Sequence, residues 1–199
     1  MTDTRHALLR TRELAVGYAG GTAIRVADIE LVGGAVWHLT GPNGSGKTAL
    51  LKTLADLLRP VAGRIERRHD GAGQSGAVYV HSVPYLFAGS VRRNLSLSHP
   101  SRERLENAAG VFGLVPLLDR NAITLSHGEQ RRVALARAIA SGPEILLVDE
   151  PEGGLDDEAL AAWRTCMARA VEAGDTALVV ASHRPVAFEG IRVTEVRLA

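Results

Sequence analysis

The chain has 199 residues, 46% hydrophobic and 23% charged, which is enough for one compact domain with a substantial core and room for a small inserted lobe. A formal net charge of +1 provides no excess to draw the protein to nucleic acid or an anionic surface, so no nucleic-acid partner is expected. The single cysteine, Cys166, excludes an intrachain disulfide, and the absence of any run of about 18 uncharged apolar residues excludes a membrane-spanning helix.

In chain order, residues 1–7 are polar and lack an apolar signal core. Residues 8–16 read as a strand, ended by the turn Gly17-Tyr18-Ala19-Gly20-Gly21 with its exposed aromatic. Residues 24–32 predict a second strand closed by Gly33-Gly34, and two early strands joined by a short turn predict an antiparallel edge. Residues 35–39 have the apolar pattern of a buried strand. Gly41-Pro42-Asn43-Gly44-Ser45-Gly46-Lys47-Thr48 follows and fits G-x-x-x-x-G-K-[ST], a phosphate-binding loop. Its glycines let backbone N–H groups turn towards an anion, Lys47 can reach the β- and γ-phosphates, and the Thr48 hydroxyl can ligate Mg²⁺. A helix predicted over 47–58, ended by Pro60, aims its positive end at the same phosphates.

Strands are predicted over 61–68 and 77–81, separated by a polar, glycine-rich loop at 69–76. From 84 to 125 charged residues alternate with Leu, Ala and Val at helical spacing, and Pro100 and Pro116 break the run, which predicts a small helical lobe. Within it the apolar run Tyr85-Leu86-Phe87 suits a groove for a partner helix, or packs the lobe on the sheet. Ser126 begins a helix predicted to run to 140, and Glu129 three residues later completes a capping box. Residues 144–148 form an apolar strand ending in Asp149 and Glu150. Asp149 is placed to hold Mg²⁺, and Glu150 to orient and deprotonate a water attacking a γ-phosphate, with Pro151 expected to keep Glu150 extended. A helix over 156–173 and strands over 176–181 and 193–198 complete the chain. Helix in alternation with strand predicts an α/β fold with a mostly parallel sheet covered on both faces.

Taken together, these stretches resemble the ATP-binding subunit of an ABC transporter. Residues 41–48 match the family's Walker A loop, and Leu125-Ser126-His127-Gly128-Glu129-Gln130 is similar to its signature motif. Residues 144–150 match Walker B with the catalytic glutamate, and Gly153-Gly154-Leu155-Asp156 resembles the D-loop. His183 resembles the switch histidine, and Tyr18 the aromatic that stacks on adenine. The resemblance covers nearly the whole chain, as a single domain over 1–199 with a nucleotide-binding core of 1–82 and 126–199 and a helical lobe of 83–125. It implies ATP and Mg²⁺ as ligands. ATP would be bound by Tyr18, Gly41, Asn43, Gly44, Ser45, Gly46, Lys47, Thr48 and Ala49, and Mg²⁺ by Thr48, Asp149 and Ser82. Glu150 and His183 would be catalytic, and Asp156 part of the D-loop. Two ATPase domains, alike or different, would face each other head to tail, so that Ser126, His127, Gly128 and Glu129 act on the partner's ATP. A separate transmembrane subunit would be driven by hydrolysis, with this chain in the cytoplasm against the inner face of the membrane.

Three positions depart from the family's pattern. His127 replaces the first signature glycine, Glu152 stands where threonine or serine is usual, and Ser82 stands where glutamine is usual. Serine is shorter than glutamine and reaches a metal-bound water only through a bridging water. Two other readings stand beside the main one: a weakly active half that pairs with a different ATPase chain, and a phosphate-loop small-molecule kinase.

Overall fold

The computed structural model describes residues 7–68 and 76–199. The loop expected at 69–76 lies, apart from Gly76, outside the described residues, as does all but the last residue of the polar start at 1–7. The α/β expectation holds, with one difference: the antiparallel strands make a sheet of their own. Strand β1 (Ala7–Val16) is its spine. On one edge Ala15 pairs with Arg25 of β2 (Ile24–Arg25) and Leu9 with Leu31 of β3 (Glu30–Val32). On the other edge the same two residues pair with Ala62 and Arg67, the ends of β5 (Ala62–Arg67).

The single strand expected over 24–32 is therefore two short ones. They flank the place where β1 bulges between Arg12 and Ala15 and Glu13 takes a φ of 49°. There the Glu13 N–H donates to the Asp28 carboxylate at 2.8 Å, and the Thr11 hydroxyl accepts from the Ile29 N–H, so side chains replace ladder bonds.

The second sheet is wholly parallel, in the order β6 (Ala77–Val80), β7 (Ile145–Asp149), β8 (Ala177–Ala181), β4 (Val36–Thr40), β9 (Val193–Arg197). Side chains alternate across a strand, so a fully buried strand must feed two cores. Ile145, Leu147, Val179 and Ala181 face helix α1 (Lys47–Leu54) and the antiparallel sheet, with Leu9, Leu14 and Leu31 beyond. Leu146, Val148, Leu178 and Val180 face the other core, built with α4 (His127–Ala140) and α5 (Asp157–Glu172). The expected lobe adds α2 (Val91–Leu95), α3 (Arg102–Val111) and two single 3₁₀ turns to that second core. Cys166 packs against it, partly buried, and burial pushes its thiol pKa up.

Helix α1 stops at Leu54, four residues short of the predicted end, and Pro60 is not the cause. Asp56 turns left-handed at φ 59°, its N–H donates to the Thr53 carbonyl, and the Leu57 N–H reaches back to the Lys52 carbonyl. That pair of bonds is a Schellman stop, with aspartate in the position glycine usually takes. No helix among the described residues is long and apolar enough to cross a membrane.

Candidate functional site

The parallel strands β4, β7 and β8 deliver their carboxyl ends to one place, and the phosphate loop, Asp149, Glu150 and His183 lie along it. The phosphate-binding loop leaves β4 at Thr40 and enters α1 at Lys47, so the end of the sheet and the start of the helix are one continuous turn. Gly44 and Gly46 have φ of 83° and 91°, a backbone region that L side chains rarely adopt. Gly41 passes so near the Leu198 carbonyl that a Cβ there would collide with it.

Tyr18, Asn43, Gly44, Gly46, Lys47, Thr48, Ala49, Asp149 and Glu150 all line one cleft of about 420 Å³. Tyr18 is 51% exposed at its rim, with the Lys52 ammonium 5.5 Å above the ring. The loop fits a bound phosphate in two respects. The buried Ser45 hydroxyl has no hydrogen-bond partner, and the buried Lys47 ammonium is turned back on the carbonyls of Gly41 and Pro42 at 2.8 and 2.9 Å. A cation bonded to the carbonyls of its own loop stands within reach of an anion held by that loop.

Asp149 ends β7 almost fully buried. One of its oxygens, Oδ2, accepts from the Thr48 hydroxyl at 2.7 Å and from the Tyr79 hydroxyl at 3.1 Å. A hydroxyl and a carboxylate oxygen side by side are the donor set of a hard cation that completes its shell with water and phosphate. Burial, then the Asp149 charge, raises the Tyr79 pKa and keeps its phenol a donor.

Glu150 corrects the expectation that Pro151 would keep it extended: its φ is 49°, left-handed. Arg131 and the turn bond from the Gly153 N–H to the Glu150 carbonyl hold the backbone there. The Arg131 guanidinium, wholly buried on α4, donates from Nη2 to the carbonyls of both Asp149 and Glu150, at 2.7 and 2.8 Å, and from Nη1 to the carbonyl of His81. The Glu150 N–H donates to the Ala181 carbonyl at 2.8 Å, so its peptide is pinned from both sides. Burial lowers the Arg131 pKa, while the charges of Asp149 and Glu152 oppose that shift. The side chains of Glu150 and His183, each close to half exposed, approach to 3.6 Å between Oε1 and Nε2.

The other predicted site residues lie outside this cleft. Ser82 follows β6, and its hydroxyl is 3.4 Å from the ring nitrogen Nδ1 of His81, which also accepts from the Val83 N–H at 2.9 Å. Ser126 caps α4 in a reciprocal box: its hydroxyl accepts from the Glu129 N–H at 3.3 Å, while its own N–H and O–H both donate to Glu129 Oε2. His127 and Gly128 lie against Gly154, and a Cβ on Gly128 would come within 2.8 Å of the Gly154 carbonyl. Asp156 caps α5 by accepting from the Ala159 N–H at 2.8 Å.

A second concavity, about 370 Å³, opens between β6, α4 and the 83–90 segment. Tyr85 and Phe87 stand on its wall 68% and 46% exposed, while Leu86 packs on the core beneath. Buried Asn94 fixes the segment by bonding both the N–H and the carbonyl of Phe87 at 2.9 Å, and Arg137 donates to the Tyr85 carbonyl at 2.9 Å.

Arg131, Tyr79 and His38 are polar groups around the site that motif spacing does not reveal, and Glu152 stands out there only as a departure from the family's pattern, with no role attached. No local signal marks Arg131, which stands between Gln130 and Arg132 in sequence and is buried only by the fold.

Comparison with known proteins gives a consistent picture. A family described as "ABC transporter" matches residues 24–153. The chain is 37% identical over 177 residues, 87% of each protein, to the cytochrome c biogenesis ATP-binding export protein CcmA of Novosphingobium aromaticivorans. It is 36% identical over 158 residues, 75% of this chain and 57% of the relative, to the zinc import ATP-binding protein ZnuC of Paramagnetospirillum magneticum. The solved structure of cbiO1 from Clostridium perfringens, part of an ABC transporter complex, superposes with a TM-score of 0.71 at 26% identity, covering 89% of this chain and 79% of that one.

Proposed function

Since the chain belongs to the ABC transporter family, whose ATP-binding members are ATPases coupled to transport, we propose that it binds ATP with Mg²⁺ in the cleft and hydrolyses it to drive a separate transmembrane subunit. The observation that carries this is the convergence in one cleft of Tyr18 and the phosphate loop with Asp149 and Glu150, which lie more than a hundred residues further along the chain. Lys47, Ser45 and the loop backbone hold the phosphates, and Tyr18 stacks on the base. Thr48 and Asp149 hold Mg²⁺, which supplies neutralisation of phosphate charge. Glu150 is the base towards the attacking water, and His183 stands opposite it.

Two such domains, copies or different chains, pair head to tail around two ATP molecules, with Ser126, His127, Gly128 and Glu129 of each meeting the other's nucleotide, beside the loop that ends in Asp156. The second concavity, with Tyr85 and Phe87 on its wall, suits a helix of the transmembrane subunit. That partner would hold the chain at the inner face of the membrane. Of the two relatives, one is named for export and the other for import. Both are named as transport proteins, which gives no support to the kinase alternative.

The test is phosphate release from ATP with no acceptor added. Wild type releases phosphate, and Lys47→Ala, which removes the only side-chain cation lining the cleft among the described residues, abolishes release and strongly weakens ATP binding. Unchanged turnover in Lys47→Ala overturns the assignment.

A further inference from the structure

We infer that Glu152 is a positioning residue for His183, acting through the buried hydroxyl of Ser182. This rests on the ATP-hydrolase reading above, because the place of His183 opposite Glu150 matters only if that pair handles the attacking water.

The 3.6 Å between His183 Nε2 and Glu150 Oε1 is too long for a hydrogen bond, so Glu150 does not lock the imidazole. Its position comes from the backbone that carries it. Strand β8 ends at Ala181, and Ser182, the residue between strand and histidine, is 3% exposed with every polar group engaged. Its N–H donates to the Leu39 carbonyl at 3.4 Å, and its carbonyl accepts from His38 Nε2 at 3.2 Å. Its hydroxyl oxygen accepts from the Arg184 N–H at 2.9 Å, which wraps the chain around His183.

One hydroxyl proton remains, and two acceptors are in range: Glu152 Oε1 at 2.6 Å and the Arg184 carbonyl at 3.0 Å. The carboxylate is the stronger acceptor, and the short distance is that of a charge-assisted bond. Glu152 follows Glu150 by two residues, and His38 lies three residues before the phosphate loop. The residue before His183 is thus held both from the strand that leads into the phosphate loop and from the segment that carries Glu150. Without the carboxylate, the hydroxyl turns to the Arg184 carbonyl, and the side-chain tie from the Glu150 segment to Ser182 is gone, leaving the backbone bond from the Glu150 N–H to the Ala181 carbonyl.

The experiment is steady-state ATP hydrolysis, with kcat and KM separated, on Glu152→Ala, Glu152→Gln, Glu152→Asn, Ser182→Ala and the Glu152→Ala/Ser182→Ala double variant. Affinity for a fluorescent ATP analogue and the melting curve are measured beside it. Glu152→Ala is expected to lose roughly tenfold to a hundredfold in kcat, the scale of an ångström of misplacement. KM and analogue affinity should stay within about twofold, because neither residue lines the cleft. Glutamine still offers an oxygen at the same reach and should recover kcat to within about threefold of wild type, whereas asparagine, a methylene shorter, should behave like alanine. The double variant should be no slower than the slower single one.

Equal loss in Glu152→Gln and Glu152→Ala overturns the proposal, as does a loss in KM or affinity instead of kcat, or single losses that multiply in the double variant. Should Glu152→Ala not fold, the Gln and Asn pair decides on the same terms. A dead Lys47→Ala with Glu152→Ala at the wild-type rate defeats this inference alone. A wild type that releases no phosphate defeats the ATPase reading.

Discussion

Ser82 is the residue whose chemistry departs furthest from the expected site, and the structure gives it a partner in His81, not in the cleft. Its side chain is shorter than glutamine's by about two bonds, so any contact with the metal or the attacking water has to pass through another water. Loss of such a contact should leave binding intact and slow the chemistry. Ser82→Gln is expected to raise basal hydrolysis at saturating ATP with little change in ATP affinity; equal or lower turnover defeats this account. Residues whose roles depend on near neighbours in sequence were legible from the start. Lys47, Thr48 and the glycines of the loop form one eight-residue motif, and Ser126 and Glu129 one helical turn. Residues whose partners are distant in sequence were not. Glu152 meets Ser182 across 30 positions, Arg131 meets His81 across 50, and His38 meets Ser182 across 144. The sheet order, with β4 next to β8, β8 next to β7 and β7 next to β6, brings the strand ends together, and the packing of α4 on that sheet brings Arg131 to them.

Among the elements, α4 began where its capping residues said it would, because Ser126 and Glu129 satisfy each other locally whatever the tertiary context. The end of α1 and the break in 24–32 were not legible. One depends on an aspartate accepting a left-handed φ, the other on a bulge in the strand alongside. The cap of α4 allows a stability prediction. Ser126→Ala removes the hydroxyl partner of the Glu129 N–H and should cost about 1 kcal/mol, a fall of about 2–4 °C in Tm for a domain of this size. The Ser126 hydroxyl and N–H hold the Glu129 carboxyl below the usual carboxylate range. The stabilisation from that carboxylate is therefore complete above the usual range and lost as pH falls through the lowered value. Glu129→Gln should remove this part of the acid dependence, and melting curves between neutral and acid pH, wild type beside variant, check it.

At the scale of the whole molecule, the parallel sheet was predicted from alternation of helix and strand, whereas the separation of the antiparallel strands into their own sheet was not. Strand patterns give pairing partners but not the packing of one sheet on another across α1. The proposed head-to-tail pair makes a prediction of its own. Glu150→Gln keeps the shape of the site but removes the base, so the variant should bind ATP, stop hydrolysing it, and accumulate as an ATP-dependent dimer in size-exclusion runs with MgATP. A variant that binds ATP and stays monomeric, alone and with a second ATPase chain, counts against the pairing. The wall of the second concavity and the cleft are also tied to each other within the single chain. Arg131 grips the carbonyl of His81, three residues before Pro84 of that wall, and the carbonyls of Asp149 and Glu150 in the cleft. A guanidinium is flat and stiff, so the span between the oxygens it holds has almost no slack. A helix pressing on the wall has two outcomes open to it: it drags the end of β7 along, or it breaks charged hydrogen bonds worth about 1.5–3 kcal/mol each. Force at the proposed docking surface thus has, beside the β6–β7 ladder, a side-chain route to the backbone of Glu150, whatever residue occupies position 82.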